Sequence, residues 1–382
     1  MDFQRQLQLQ SLTSSAFLFG PRMTGKTFLL HQLKVDLFID LLDPEIELEF
    51  RSSPRRFWEQ LSVLKNKSLV IVDEIQKIPV LLDYVQKGIE DKQLRFILSG
   101  SSTRKLRRGG ANLLGGRALD LRLHPLTSSE LGKHFQLDRI LKFGSLPRIT
   151  QLVLGKNIEE AKGMLRSYHT SYIKEEIQAE ALTRNVGAFQ RFLSVAAQSN
   201  GAVIEFANIS RECSVPMSTV KEYYSILEDT LLGSFLWPWD RSERKKARPK
   251  FYFFDPGVVR ALQDRLSDDP TPSERGILFE QWFVNELRRL RDYQKPDYEF
   301  AFWRHGPHEI DVLVMRGNKP VLAFECKTGK SLAPVGVIKA FREFFPKVPV
   351  FVVSADDQRS RKIDSGIEIL PVLSALEKFL AL

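Results

Sequence analysis

The sequence FLFGPRMTGKTFLL, residues 17–30, carries the strongest structural signal in this 382-residue chain. Residues 20–27 match the pattern G-x-x-x-x-G-K-[S/T], which here follows an apolar run and opens an amphipathic one. A strand that turns through glycines into a helix directs backbone N–H groups and the positive helix end toward one point, which suits phosphate oxygens. The motif therefore predicts a nucleotide site formed by Gly20, Pro21, Arg22, Met23, Thr24, Gly25, Lys26, Thr27 and Phe28.

Four side chains have distinct expected roles at this site. Lys26 would reach the β- and γ-phosphates of ATP, and Thr27 would ligate Mg²⁺. The segment SLVIVDEIQ, residues 68–76, ends an apolar run with two acids, so that Asp73 would hold Mg²⁺ through water and Glu74 would polarise the attacking water. Phosphoryl transfer depends mainly on positioning and charge neutralisation, which such groups supply. These residues predict Mg²⁺-dependent hydrolysis of ATP.

Two further features of this region could serve the same reaction. The segment LRFILSG, residues 94–100, is followed by hydroxyl residues, and Ser101 either senses the γ-phosphate or simply ends a strand. The basic segment beyond it offers candidates for an arginine finger, of which Arg117 is the first choice and Arg104, Arg107 and Arg108 are the alternatives. A finger that acts across a subunit interface requires an oligomer, whereas one that acts in cis does not.

The alternation of elements predicts an α/β fold with three domains. Over residues 1–150, short apolar runs alternate with amphipathic stretches, which is typical of a P-loop NTPase core with a parallel sheet and crossover helices. Residues 151–258 are mostly helix-forming, and the break SVP (214–216) predicts a helix-turn-helix with 216–229 as its second helix. SFLWPW (234–239) and KFYFFD (250–255) would be the strands of a wing. Residues 259–382 predict a separate mixed α/β domain.

The helix-turn-helix raises the question of DNA binding. The side of the second helix that enters the major groove in DNA readers would carry Ser218, Thr219, Lys221 and Tyr224. The basic segment DRSERKKARPK, residues 240–250, would neutralise phosphates through residues such as Arg244, Lys245 and Lys246. A helical module that packs against protein would have the same apolar pattern, so DNA and a protein partner both stay open.

A second group of chemically active residues lies near the C-terminus. Strand alternation in AFECK (323–327) puts Glu325 and Lys327 on one face, and a hairpin with EIDVLV (309–314) would bring Asp311 beside Glu325. Such carboxylates can hold Mg²⁺ or Mn²⁺, and the lysine can orient or deprotonate water for attack on a phosphodiester. Glu280, on the preceding helix, would complete the acidic cluster. His305, His308 and Glu309 match no strong metal template.

Composition limits the setting of the protein. The net charge of +9 suits a nucleic-acid partner without requiring one. The cysteines, Cys213 and Cys326, lie far apart in sequence, which favours a reducing compartment. The N-terminal MDFQRQLQLQ lacks an apolar leader, and no run approaches 18 apolar residues. We therefore expect a cytoplasmic protein with no membrane association.

Several segments together resemble a group of bacterial and archaeal ATPases related to AAA+ and STAND proteins. They are GPRMTGKT (20–27), VIVDEIQKIP (70–79), RFILSGSSTRKLRRGGANLLGGRA (95–118), HPLTSSEL (124–131) and FGSLPRI (143–149), the last of which resembles the glycine–proline element of STAND proteins. The chain departs from the group at Met23, where a polar residue is usual. The resemblance implies a winged helix and a C-terminal domain similar to PD-(D/E)xK restriction endonucleases.

Transferred to this chain, the endonuclease resemblance implies Glu280 as the helical acid, Asp311 and Glu325 as metal ligands, and Lys327 as the catalytic lysine. Two functions follow. In the first, the ATPase is a nucleotide switch that controls DNA engagement and DNA cleavage by the C-terminal domain. In the second, it is a signalling or scaffold ATPase, and the same domains bind DNA or a protein partner without cleavage.

Overall fold

The structure, a computed structural model, describes residues 3–100, 114–168, 170, 186–239, 248–329 and 334–382. The chain divides into two compact units. The first comprises the residues up to Pro125 together with Asp229–Leu232, and the second comprises Leu126–Glu228 and Gly233–Leu382. None of the helices within the described ranges is long and apolar enough to cross a membrane.

The described part of the first unit is one parallel sheet with helices between its strands. The strands are β1 (Ser15–Phe19), β2 (Leu37–Asp40), β3 (Leu69–Asp73), β4 (Arg95–Gly100) and β5 (Ala118–Arg122), and the helices are α1 (Lys26–His31), α2 (Pro44–Ser52), α3 (Arg55–Ser62) and α4 (Leu81–Lys92). The strand order is β2-β3-β4-β1-β5, with all neighbours parallel. The predicted P-loop NTPase core is confirmed.

Burial explains why these apolar runs form strands. Every residue of β1 and β3 is buried, because separate apolar clusters cover the two faces of the sheet. Phe17 and Phe96 belong to one cluster, and Leu18 and Ile71 belong to the other. Since β4 lies between β3 and β1, the carboxyl ends of these three strands meet at one edge, where parallel α/β sheets commonly bind ligands.

The second unit contains helices, a two-stranded hairpin and a mixed sheet. Its helices are α5 (Ser128–Leu131), α6 (Leu137–Phe143), α7 (Pro147–Leu154), α8 (Ile158–Ser167), α9 (Val186–Gln198), α10 (Phe206–Cys213), α11 (Met217–Asp229), α12 (Pro256–Leu262), α13 (Pro272–Gln294), α14 (Val335–Phe344) and α15 (Val372–Leu380). Its strands are β6 (Gly233–Leu236), β7 (Lys250–Phe253), β8 (Tyr298–His305), β9 (His308–Arg316), β10 (Lys319–Lys327), β11 (Val350–Ser354), β12 (Arg361–Lys362) and β13 (Glu368–Pro371).

Strands β6 and β7 pair antiparallel, as expected for the predicted wing. The other strands form a mixed sheet in the order β12-β13-β11-β10-β9-β8, in which β10 pairs antiparallel with β9 and parallel with β11. The helix predicted over 216–229 is present as α11. The overall fold class is α/β, as the sequence predicted.

The exposed face of α11 differs from the prediction at one position. Ser218 and Lys221 are exposed and Thr219 is half-buried, but Tyr224 is fully buried and its ring contacts Phe192 at a centroid distance of 4.9 Å. Tyr224 belongs to an apolar stripe that recurs at helical spacing and includes Val220, Tyr223, Tyr224 and Leu227. Tyr224 has a polar hydroxyl group, but its position in the helix places its side chain in the core.

The first unit ends after Pro125, ahead of residue 150, where the sequence placed the first domain boundary. The segment beyond Pro125 is held by buried polar groups of the second unit. Arg289 donates to the carbonyl of Leu126 at 3.2 Å, and the carboxylate of Glu286 accepts from Ser128 N at 2.6 Å. Burial raises the pKa of Glu286. These contacts join residues far apart in sequence, so local patterns do not reveal them.

Gly144 occupies a backbone conformation that only glycine adopts readily. It ends helix α6 with φ 77° and ψ −168°, and a Cβ atom there would lie 1.9 Å from Oδ1 of Asp255. Asp255 is fully buried and caps α12 by accepting from Gly257 N at 2.9 Å and Val258 N at 3.2 Å.

We predict that Gly144→Ala lowers the melting temperature measured by circular dichroism, because the backbone conformation alone would cost on the order of 1–3 kcal/mol. The matched control is Gly163→Ala inside α8, where no described atom outside the adjoining helix backbone and the two chain neighbours lies within 4 Å of the added methyl group. Alanine favours helix more than glycine does, so this variant should melt at the wild-type temperature or slightly above it. Equal melting temperatures for the two variants would contradict the prediction.

Candidate nucleotide site and carboxylate cluster

The predicted phosphate loop connects β1 to α1. Met23 and Gly25 both have left-handed backbone conformations, with φ values of 66° and 90°. Glycine adopts this conformation without strain because it has no Cβ atom. Met23 adopts it despite its side chain, so the polar residue usual at this position is not needed for the turn. The two reversals curl the loop ahead of the helix, the arrangement in which backbone N–H groups form a concave anion site.

Lys26, the first residue of α1, lies inside this loop. Its side chain is buried, and its Nζ donates to the carbonyl of Gly20 at 2.7 Å and to that of Pro21 at 3.2 Å. The ammonium group is therefore held by the backbone of the same loop that the motif assigns to phosphate. The half-buried Arg22 and the exposed Phe28 flank it in sequence.

Thr27, Asp73 and Ser99 form a hydrogen-bonded set at the sheet edge. Thr27 Oγ1 donates to Oδ2 of Asp73 at 2.7 Å, and Ser99 Oγ donates to Oδ1 of the same carboxylate. Asp73 and Ser99 are fully buried. A hydroxyl group beside a carboxylate is the hard-oxygen donor set that Mg²⁺ prefers, so these residues fit the predicted ion.

Glu74 follows Asp73 with a φ of 60° and begins the 3₁₀ turn Ile75–Lys77. Its backbone N–H donates to Ser99 Oγ at 3.1 Å, and its carboxylate accepts from the side-chain amide of the buried Gln76. The predicted water-polarising acid is therefore oriented from both its main chain and its side chain.

Sequence reasoning missed two residues at this site. Gln76 is the last residue of SLVIVDEIQ, two residues after Glu74. An amide at this spacing from an acid is a pattern from which their hydrogen bond could have been predicted. Arg5 donates to the carbonyl of Thr24 at 2.7 Å and to that of His124 at 2.6 Å, so it links the phosphate loop to the segment after β5. An isolated arginine in a polar N-terminal segment gives no such signal.

The structure places Arg117, the first choice for an arginine finger, in an ion pair with Glu90 of α4 at 3.0 Å. Both side chains are largely exposed, and such pairs contribute little to stability. Seven further residues proposed for nucleotide sensing or DNA contact lie outside the described residues: Ser101, Arg104, Arg107, Arg108, Arg244, Lys245 and Lys246.

In the second unit, acidic side chains gather between α13 and the β9–β10 hairpin. We call Glu280, Glu309, Asp311 and Glu325 the carboxylate cluster. Strands β9 and β10 pair antiparallel as predicted, and Asp311 Oδ2 accepts from Cys326 N at 2.8 Å, beside Glu325. The prediction that the hairpin brings Asp311 next to Glu325 is confirmed.

A lysine from the β6–β7 hairpin lies within this cluster. Lys250 Nζ is 2.6 Å from Oε1 of Glu280, 2.7 Å from Oε1 of Glu309 and 3.8 Å from Oδ1 of Asp311, and its side chain is only 5% exposed. The hydroxyl of Tyr252 donates to the same oxygen of Glu280. Lys250 belongs to the basic segment that we expected to face DNA phosphates. That expectation is wrong for this residue, because its ammonium group is buried among acids.

The pKa values of the cluster reflect burial and charge together. Burial, reinforced by the charges of Glu280 and Glu325, raises the pKa of Asp311 well above its usual range. Burial also raises the pKa of Glu325. Burial alone would lower the pKa of Lys250, but its neighbours, Tyr252 and the carboxylates, raise it well above the usual value. Lys250 therefore stays charged.

The predicted ligand set of Glu280, Asp311 and Glu325 does not fit a metal ion as placed. In the part of the chain that the structure describes, no three His, Cys, Asp or Glu residues are arranged to hold one. The physical reason is Lys250, whose ammonium group contacts the carboxylates of Glu280 and Asp311. His305 packs against the ring of Phe344, with centroids 4.7 Å apart.

Glu325 and Lys327 lie on the same face of β10, as alternation predicted. Lys327 Nζ is 2.7 Å from Oε1 of Glu325. The other oxygen, Oε2, is buried and has no hydrogen-bond partner among the described residues. Burial alone would lower the pKa of Lys327, but the neighbouring Glu325 raises it, so that the pKa of Lys327 lies above its usual value. Within the described ranges, one carboxylate of the cluster thus has an acceptor oxygen that no donor contacts.

Comparison with protein families divides the chain into three parts. Residues 13–132 match a family described as AAA domain. Residues 134–269 match a domain of unknown function (DUF8612), and residues 275–374 match another (DUF4143). The AAA match covers the phosphate loop and the strand-end acids, so this part of the chain, which has the P-loop NTPase fold, is similar to AAA domains.

One relative matches nearly the whole chain, and more distant structures match parts of it. Uncharacterized protein MJ1544 of Methanocaldococcus jannaschii is 23% identical over 392 residues, covering 93% of this chain and 86% of the relative. The Aeropyrum pernix Orc1 protein in complex with DNA has a TM-score of 0.32 at 13% identity, covering 67% of this chain and 87% of that one. The replication initiator DnaA, bound to AMPPCP and single-stranded DNA, has a TM-score of 0.29 at 14% identity, covering 58% and 84%.

We predict that Ser99→Ala weakens the Mg²⁺ dependence of nucleotide binding, because Ser99 orients the carboxylate of Asp73. Loss of a hydrogen bond to a metal-binding carboxylate typically lowers metal affinity about 10–100-fold. The measurement is a Mg²⁺ titration of fluorescent ATP-analogue binding, with nucleotide affinity in EDTA expected to be unchanged.

The matched control for this experiment is Ser15→Ala. Ser15 is a buried serine of the same sheet that accepts from Phe96 N at 3.0 Å, at the opposite end of β1 from the phosphate loop. If Ser15→Ala and Ser99→Ala shifted the Mg²⁺ titration equally, Ser99 would have no specific role at the site.

Proposed function

We propose that this protein is a Mg²⁺-dependent ATP hydrolase whose nucleotide state controls binding of DNA by its second unit. The observation that carries the proposal is the buried hydrogen-bonded set of Thr27, Asp73 and Ser99 beside the phosphate loop. Burying a carboxylate costs free energy, even between two hydroxyl groups. Binding of a nucleotide with its metal ion would explain why the fold keeps a carboxylate at this position.

Each residue of the site has one task in this proposal. Thr27 and Asp73 would hold Mg²⁺, which neutralises phosphate charge when bound. Lys26 would exchange its bonds to the loop carbonyls for bonds to the β- and γ-phosphates. Glu74, held by Gln76 and by Ser99, would accept a hydrogen bond from the attacking water and orient it toward the γ-phosphate.

A short chain segment supports the proposed coupling to the helix-turn-helix. Asp229–Leu232 clusters with the first unit, although the residues on both sides of it, in α11 and β6, belong to the second. Leu231 packs against the apolar core that contains Phe17 of β1. A rearrangement of that core on ATP hydrolysis would therefore act directly on the segment that joins α11 to β6.

In this proposal α10, α11 and the β6–β7 hairpin are a winged helix that contacts DNA. Ser218 and Lys221 are exposed on α11, Thr219 is half-exposed beside them, and the chain has a net charge of +9. Phosphate neutralisation by such residues supplies affinity without a base code. A protein partner at the same face is the competing interpretation.

We further propose that the third domain, residues 259–382, has an endonuclease-like sheet but binds without cleaving. Lys250 supports this, because it already contacts the acids that a nuclease would use. The second candidate is metal-dependent DNA cleavage. The pair of Glu325 and Lys327 favours it, together with Oε2 of Glu325, which no described residue contacts by a hydrogen bond. Mg²⁺-dependent DNA cleavage by the wild type but not by Lys327→Ala would establish the second candidate.

We predict that Lys26→Ala lowers the kcat of ATP hydrolysis about 100-fold or more, because one cation at the developing phosphate charge is lost. Phosphate release is the measurement, and Lys34→Ala, which removes an exposed lysine of the same unit, is the control. Full Mg²⁺-dependent turnover by Lys26→Ala would overturn the proposed hydrolase.

We predict that Glu74→Gln binds ATP without hydrolysing it, and that its DNA affinity with ATP differs from that with ADP. Fluorescence anisotropy with a short duplex measures both affinities. In the tighter-binding state, Lys221→Ala should reduce the salt slope of binding by about one, whereas Lys319→Ala, an exposed lysine of β10, should leave it unchanged. Equal affinities with ATP, with ADP and without nucleotide would refute the switch.

A further inference from the structure

We infer that the ammonium group of Lys250 is a built-in cation that occupies the carboxylate cluster and excludes a divalent metal ion from it. This inference deepens the proposed non-cleaving function and rests on it only for its biological consequence. The occupancy of the cluster itself can be measured without ATP or DNA.

The distances around Lys250 are those of an ammonium hydrogen-bond site. Its nitrogen lies 2.6 and 2.7 Å from single oxygens of Glu280 and Glu309. Charge-assisted N–H···O bonds have about this length, whereas Mg²⁺ holds its oxygens at about 2.0–2.1 Å. Asp311, at 3.8 Å, completes the negative surroundings. The oxygens of Glu280 and Glu309 therefore lie at the distance of ammonium hydrogen bonds, and Asp311 contributes charge from further away.

The backbone that carries Lys250 is fixed. Lys250 opens β7, where it pairs with Leu236 of β6, and the three residues that follow it, 251–253, are fully buried aromatic side chains. Tyr252 donates to the same Glu280 oxygen that Lys250 contacts. Withdrawal of this strand would expose a large apolar surface to water, so Lys250 acts as a permanent component of the cluster.

The charge balance shows what removal of Lys250 would do. Removing one partner of a buried ion pair destabilises the fold, because the other charge stays buried without compensation. The cluster would then offer hard oxygens from Glu280, Glu309 and Asp311, together with Oε2 of Glu325, for which the described part of the chain supplies no partner. Hard oxygens around a buried negative charge favour a divalent cation. Replacing Lys250 by a neutral side chain should therefore convert the cluster into a metal site.

The test uses the full chain and Mn²⁺ in buffer without nucleotide or DNA. Electron paramagnetic resonance measures bound Mn²⁺ in the wild type and in Lys250→Met, which keeps the side-chain length and removes the charge. We expect Lys250→Met to gain one saturable Mn²⁺ site that the wild type lacks, and Lys250→Met/Asp311→Asn to lose it again. Any Mn²⁺ bound near Asp73 is common to all three proteins and cancels in the comparison.

Two further measurements separate metal binding from general effects. Lys142→Met removes an ion-paired lysine of the same unit outside the cluster, where Lys142 contacts Asp269, and it should gain no site. Mn²⁺ should raise the melting temperature of Lys250→Met but not that of the wild type, which also reports whether the variant folds. If Lys250→Met is unfolded, Lys250→Gln, which keeps a hydrogen-bond donor, takes its place and should gain the same site.

Two results would overturn the inference. One is a wild-type Mn²⁺ site that Asp311→Asn abolishes, because Lys250 would then not exclude the metal. The other is a folded Lys250 variant that gains no site. Neither result bears on ATP hydrolysis, so failure of this inference and failure of the proposed hydrolase are distinguishable.

Discussion

The second unit depends on the pairing of charges that its fold buries. An ammonium or guanidinium group inside a protein is tolerated only where carboxylates or carbonyls surround it. Lys250 meets this requirement through Glu280 and Glu309, and so connects a hairpin strand, a long helix and the mixed sheet. Arg289 meets it through Glu286 and carbonyl groups, including that of Leu126. Through these contacts each cation connects elements that are distant in sequence.

The first unit follows a different rule. Apolar clusters cover both faces of its sheet. The polar groups of the candidate nucleotide site lie at the edge where β1, β3 and β4 end. There the carboxylate of Asp73 is shared by two hydroxyl groups, while Lys26 is held by carbonyl groups of its own loop. Lys26 is thus held by neutral carbonyl groups, whereas Lys250 is held directly by carboxylates.

The sequence predicted those features that depend on near neighbours in the chain. The phosphate loop, the buried strands, helix α11 and the β9–β10 hairpin each follow from a local motif or period. Tyr224 is an exception among these local features, because its helical spacing from Val220 and Leu227 places it in the core although its hydroxyl is polar. No local pattern identifies the environment of Lys250, since its acidic partners lie 30 or more residues away and the segment before it is basic. The same limit applies to Arg5, whose contacts lie at the phosphate loop and beyond β5.

Sequence patterns of catalytic residues identify which side chains come together. They do not show whether another residue of the chain already occupies the site that those side chains form. Glu280, Asp311, Glu325 and Lys327 match a nuclease pattern in identity and spacing, and the fold does bring the acids together. A nuclease metal site needs those acids to lack a resident cation. Here a lysine from another element supplies the positive charge at hydrogen-bonding distance, and its strand is fixed by buried aromatic side chains. Because the ammonium group already contacts Glu280 and Glu309, a divalent ion could bind there only by displacing a cation that is part of the chain. The proposed consequence is that ATP hydrolysis in this chain changes its binding of DNA. The residues of the nuclease-like pattern would then connect the β6–β7 hairpin to the mixed sheet through their contacts with Lys250.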